Sequence, residues 1–174
     1  MEGAALIAQG LDRIAGSLER SLTGVSVDEL CRVPGEGTNS MAWLAWHLTR
    51  VQDDHLMNLA GRPLAWAEEG WHERFGMPAE NDFGMGWPPE QVQAFTCESA
   101  EVLLAHHRAV LARSKAYLTT VTPGDLDRVL DEPQWDPRPT VGVRLVSVIS
   151  DNTQHAGQIA YLRGLFGGYG WQRS

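Results

Sequence analysis

Residues 140–166 read TVGVRLVSVISDNTQHAGQIAYLRGLF, a largely apolar stretch with a polar island, Asp151 to Gln158, set into its middle. Its composition and length predict one long helix that begins near Thr140 and stops around Gly167 and Gly168. Asp151 and His155 are four positions apart, so on a helix they lie one turn apart on the same face, about 6 Å along the axis. One ion can touch both. A carboxylate sharing a face with the apolar run Val141 to Ile149 is costly without a partner, so Asp151 needs a cation, a cap or a metal.

A second stretch, residues 39–59, reads NSMAWLAWHLTRVQDDHLMNL. It predicts a helix that starts at Asn39 or Ser40 and ends at Gly61, with Pro63 close behind. It carries His47 among Trp43, Leu44, Trp46 and Leu48, and taken alone His47 reads as a hydrogen-bonded core histidine. If His47 faces Asp151 and His155 across a bundle core, the three form a two-histidine, one-carboxylate set with coordination positions left open. That is the pattern of a catalytic metal site rather than a structural one.

The remaining chain supplies two more long helices. Leu6, Ile7, Leu11, Ile14, Leu18 and Leu22 recur at three- and four-residue steps and predict a first helix over Gly3 to Leu22. Val25 to Thr38 carries a helix start at Ser26-Val27-Asp28-Glu29, then Pro34, Gly35 and Gly37, hence a short helical turn and a loop. A third helix is expected from about Pro89 to Leu118, a further short one over Thr122 to Leu130, and an extended segment over Asp131 to Pro139. Between the second and third helices, residues 62–89 hold Trp66, Trp71, Phe75, Phe83 and Trp87 among four Pro and four Gly. A connection this long is functional or packs with its own aromatics, and it reads as a lid or wall over one end of the bundle. The sum is an all-α four-helix bundle, a single domain over residues 1–174, whose facing helices supply metal ligands to a shared core.

With 174 residues, 43% of them hydrophobic, the chain can bury a core without staples. A formal charge of −8 argues against broad contact with a phosphate backbone and so against a nucleic-acid partner. Cys31 and Cys97 are too few for a disulfide framework or a cysteine-based zinc site, and they suit a reducing compartment as structural residues. No apolar run approaches a membrane span and no leader pattern precedes the first helix, so the expectation is a soluble cytoplasmic protein without a membrane partner. Lys115 is the single lysine, which makes the other 13 cationic residues arginine, a bias that points to a GC-rich genome.

The block Asn39 to His55, together with Gln154-His155-Ala156-Gly157-Gln158-Ile159-Ala160-Tyr161-Leu162-Arg163-Gly164, resembles the DinB/YfiT-like superfamily. More narrowly it is similar to the branch of mycothiol-dependent S-transferases and maleylpyruvate isomerases, over nearly the whole chain. The resemblance implies a DinB-like four-helix bundle that binds one divalent ion, usually zinc, with His47, Asp151 and His155 at the ligand positions. Many members carry histidine at the position of Asp151, while the mycothiol branch also uses an acidic residue there. It further implies a thiol S-transferase acting in detoxification, which joins mycothiol or a similar low-molecular-weight thiol to small electrophiles with a metal-held thiolate as nucleophile. The arginine bias favours mycothiol over bacillithiol. Rival readings are a metal-dependent hydrolase, a thiol-dependent isomerase of a small acid, and a non-catalytic metal-binding module of a stress response.

Other residues are candidates for the cleft. Asp54 lies about 10 Å along the axis from His47, too far to share its ion, and is expected to bind a substrate amine or pair with Arg50. His55 stands further round the helix. Arg144 and Ser147 share the face of Asp151, and Arg144 is suited to a carboxylate or to solvent. Gln154 and Gln158 are placed to orient ligands from behind. His72 is a candidate mobile fourth ligand. His106 and His107 point about 100° apart and are expected at the surface. Exposed Trp or Leu on the first or third helix would suit a homodimer.

Overall fold

The architecture comes from a computed structural model that describes residues 2–168. Four long helices, α1 (Gly3–Leu22), α3 (Met41–Ala60), α7 (Ala100–Leu118) and α9 (Val141–Gly167), form the all-α bundle. The helix α3 packs on α9 and α7, and α1 packs on the same two from the other side. Thus α3 and α1 stand at opposite corners. Short helices α2 (Val27–Cys31), α4 (Ala65–Glu68), α5 (Trp71–Arg74), α6 (Pro89–Gln93) and α8 (Pro123–Leu126) sit in the connections. No described helix is long and apolar enough to cross a membrane.

Side chains fix the helix starts. Ser40 accepts from the Trp43 amide to open α3, Thr140 accepts from Val143 to open α9, and Ser26 with Glu29 closes a capping box on α2. Gly61 ends α3 in the left-handed region at φ 62°. The expected helix over Pro89–Leu118 is two helices. The chain breaks after Gln93, Phe95 turns inward onto Trp46 at 5.1 Å, and Ser99 caps a fresh start by accepting from Val102. Burying Phe95 competes with continuing the helix, and a capping serine in the right place makes the break inexpensive.

Every residue from Met41 to Asp54 is buried, on all sides of α3. A helix with no wet face needs cover on its outer side, and the aromatic connection provides it. Trp66 and Trp87 lie 6.2 and 5.1 Å from Trp46, ring centre to ring centre. The connection is tied down by Asp53, whose carboxylate accepts the Ala65 and Trp66 amides at 3.0 Å each, at the start of α4. Arg50 donates to the same carboxylate at 3.3 Å and lies 4.5 Å under the Trp66 ring. Both side chains are fully buried. Burial pushes the Arg50 guanidinium down to about 10 and raises the Asp53 carboxyl against the pull of its hydrogen bonds.

The same cover corrects the expectation for His106 and His107, which are buried rather than at the surface. His106 sits among Trp66, Trp71 and Phe75, and His107 meets the Thr49 hydroxyl at 3.0 Å through Nδ1. Burial pushes His107 down to about 4 and His106 well below the ordinary histidine value. Both are neutral in the folded protein. As pH falls from the ordinary value toward 4, the unfolded chain takes up protons that the folded chain refuses, so stability drops by about 1.4 kcal/mol per pH unit for each histidine. Urea unfolding of wild type and His106→Phe between pH 7 and 4.5 should show a visibly shallower acid loss in the variant. Equal slopes would contradict this account.

Cys31 and Cys97, far apart in sequence, touch in the fold, with Cys97 in the core. Burial, then the neighbouring Cys31, pushes the Cys97 thiol up to about 12. Such a thiol is inert as a nucleophile at neutral pH.

Candidate metal centre

The fold brings His47 of α3 together with Asp151 and His155 of α9, and each offers one ligand atom within 4.8 Å of the others. The rings of His47 and His155 meet edge to face at 5.0 Å. His155 Nε2 lies 3.5 Å from Asp151 Oδ1. Gln154 and His72 are not part of this group. Gln154 bonds back to Ser150 on its own helix, and His72 turns Nδ1 to the Trp66 carbonyl.

Both histidines are oriented from behind. His47 Nδ1 donates to the Phe83 carbonyl, and its ring stacks on Trp43 at 4.6 Å and 8°. His155 Nδ1 donates to Gln158 Oε1 at 2.8 Å. A histidine that gives its Nδ1 proton to an oxygen presents an unprotonated Nε2, the tautomer that a metal takes. Burial lowers the affinity of His47 for a second proton, an effect that the Phe83 carbonyl only partly offsets. His155 is also desolvated, but the neighbouring Asp151 carboxylate and the Gln158 oxygen prevail and raise it. Asp151 Oδ2 is buried with no hydrogen-bond partner. An orphaned carboxylate oxygen beside two such histidines is costly unless a cation meets it, so the donor set fits a divalent ion.

Phe83 reaches His47 because of Gly84. A Cβ built at Gly84 would lie 2.8 Å from Trp46 and 3.0 Å from Trp43, and φ there is +83°. Only glycine passes so close over two indoles in that conformation. Asp82 fixes the turn by accepting the Gly84 amide at 2.8 Å and the Trp87 indole N–H at 2.8 Å. The aromatic connection thus walls the cleft and also aims His47. A backbone carbonyl leaves no signature in sequence, which is why Phe83 is missed by reading residue types.

On the N-terminal side of Asp151 a cleft of about 600 Å³ opens between α3, α9 and the segment before α9. His47, Asp54, His55, Arg144, Ser147 and Asp151 all line it. Asp54 does not pair with Arg50, which goes to Asp53. It accepts instead from Asn58 at 2.8 Å and Asn81 at 2.6 Å, with His55 Nδ1 at 3.3 Å. Arg144 is bound to Glu132, a residue not picked out in the sequence, so its charge is already matched. His55 is half-buried and held below its ordinary value by burial, against the pull of Asp54.

Residues 6–168 match the family described as Mycothiol-S-transferase. A crystal structure of a conserved protein from Enterococcus faecalis superposes with a TM-score of 0.87 at 31% identity, covering 97% of this chain and 99% of that one. No curated protein matches the chain. With the bundle, the clustered histidines and carboxylate, and a family match that spans almost its full length, the chain belongs to the mycothiol S-transferase family, within the DinB-like bundles.

Proposed function

We propose that this protein is a zinc-dependent S-transferase that joins mycothiol, or a similar small thiol, to small electrophiles in the reducing cytoplasm, a detoxifying reaction. The observation that carries the reading is the orphaned Asp151 oxygen beside two histidines whose Nδ1 protons are both given away. His47, Asp151 and His155 would hold the ion. When bound, it supplies the positive charge that favours the thiolate form of a small thiol at neutral pH.

The chain's own residues do the rest. Phe83 and Gln158 keep the two imidazoles in the required tautomer, and the stacked Trp43 fixes the plane of His47. The cleft beside Asp151 holds the electrophile against the attacking sulfur, so that two reactants meet in one orientation. In the transfer the S–H proton passes to solvent, a C–S bond forms, and the bond to the leaving group breaks with its electron pair. Where the electrophile is an activated double bond there is no leaving group, and the π pair moves onto the adjoining carbon and takes up a proton from solvent. The high pKa of the Cys97 thiol supports an external thiol as the nucleophile. The matched pair Arg144–Glu132 and the carboxylates Asp54 and Asp131 weigh against a dicarboxylate substrate, and so against isomerisation of a small acid.

The test is conjugation of a fluorogenic electrophile by zinc-loaded protein with mycothiol, bacillithiol, glutathione or no thiol. Turnover with mycothiol and none without thiol is the expected result. Release of the fluorophore at the same rate without any thiol would overturn the reading in favour of hydrolysis.

A further inference from the structure

The surface between α3 and α9 holds more than the cleft beside Asp151. On the far side of His155, toward the C-terminal end of α9, lies a second cleft of about 680 Å³, closed opposite by the loop before α3. Its α9 wall is Gln154, Gly157, Gln158 and Tyr161, one face at helical spacing. Thr38 and Asn39 face them. The first cleft is lined on α9 by Arg144, Ser147 and Asp151, the same helix continued toward its N-terminus. His47 and Asp151 line the first cleft, and Gln158, which holds His155, lines the second, so the two hollows flank the candidate metal residues along α9.

The two hollows differ in chemistry. The first carries Asp54, Asp131, Glu132, Asp151, Arg144 and two histidines. The second holds no acidic, basic or histidine side chain, and its polar groups are amides and hydroxyls that donate and accept alike. Tyr161 is 71% exposed, an aromatic surface standing free at the rim. Gly157 lies well inside a 27-residue helix, where glycine is the poorest choice after proline. A Cβ added there meets nothing within 4 Å, so packing against the protein does not require the glycine. Gly157 is exposed, and its absent side chain leaves this wall of the hollow open for close approach. Gln158 links the two halves, since it lines this cleft and holds His155.

We propose that the second cleft is the subsite for the uncharged, hydroxyl- and amide-bearing body of the thiol, whose sulfur reaches the metal-site residues past Gln158 while the electrophile enters from the charged cleft. The assignment rests on the two-reactant reading given above. It explains why two hollows of unlike chemistry flank one centre.

Calorimetric titration of zinc-loaded protein with mycothiol tests it, together with the KM of each reactant and the zinc content. Gly157→Leu sets a side chain on the cleft wall where its Cβ meets nothing within 4 Å, and should weaken mycothiol binding about tenfold or more with zinc content and electrophile KM unchanged. Tyr161→Ala removes only an exposed side chain and should weaken binding in the same direction, which covers the case in which Gly157→Leu does not fold. Ser147→Leu, on the other cleft, should raise the electrophile KM and leave mycothiol binding as it is. Mycothiol binding untouched in both Gly157→Leu and Tyr161→Ala overturns the subsite alone. Absence of mycothiol binding by zinc-loaded wild type overturns the subsite and the thiol-transfer reading together.

Discussion

His155→Ala is expected to lose bound metal and thiol transfer together while keeping its helix content. The side chain sits mid-helix, with hydrogen bonding to Gln158 and proximity to Asp151, and it caps nothing, so α9 persists without it. Loss of an outer partner of a metal-ligating histidine costs roughly 10–100-fold in metal affinity, and loss of the ligand itself should exceed that. Gln158→Leu supplies the graded comparison. It keeps His47, Asp151 and His155, frees the Nδ1 proton of His155, and should weaken metal binding by roughly 10–100-fold without abolishing it. Metal content after dialysis, far-ultraviolet circular dichroism and turnover give the readout. Full metal content in His155→Ala would contradict the assignment.

Asp53→Ala is expected to be the most destabilising single change outside the apolar core. It strips the Ala65 and Trp66 amides of their acceptor and leaves Arg50 buried without its carboxylate. Breaking one side of a buried ion pair costs about 3–5 kcal/mol. Because Asp53 ties the connection to α3, the loss also loosens the segment that carries Phe83 to His47. Urea unfolding should show the stability loss, and metal affinity should fall although no ligand has been touched. A loss below about 1 kcal/mol would mean that Asn81 and Asp82, which also receive Arg50, suffice to hold it.

The four long helices were legible because their signals are local. Apolar spacing marks α1, Ser40 and Gly61 bracket α3, and the polar island stands out in α9. Spacing within α9 pairs Asp151 with His155, while His47 joins them only through the family resemblance, since nothing local says which way His47 faces. Sequence reading failed where long-range packing decides. His106 and His107 look like surface residues until the connection folds over α7. The break after Gln93 depends on Phe95 finding Trp46. Asp53 and Asp54 are adjacent and alike in sequence, yet one is buried under α4 with Arg50 and the other lines the cleft. The helix turn that separates them by about 100° decides their roles.

Whether His47, Asp151 and His155 hold an ion is decided by the metal content of the purified protein, before and after chelation and reloading with zinc, beside the variant His47→Ala/Asp151→Ala/His155→Ala. The account predicts about one divalent ion per wild-type chain, removed by chelator, restored by zinc, and absent from the variant. A wild-type chain that takes up no divalent ion, or a triple variant that binds it as well as wild type, would contradict it.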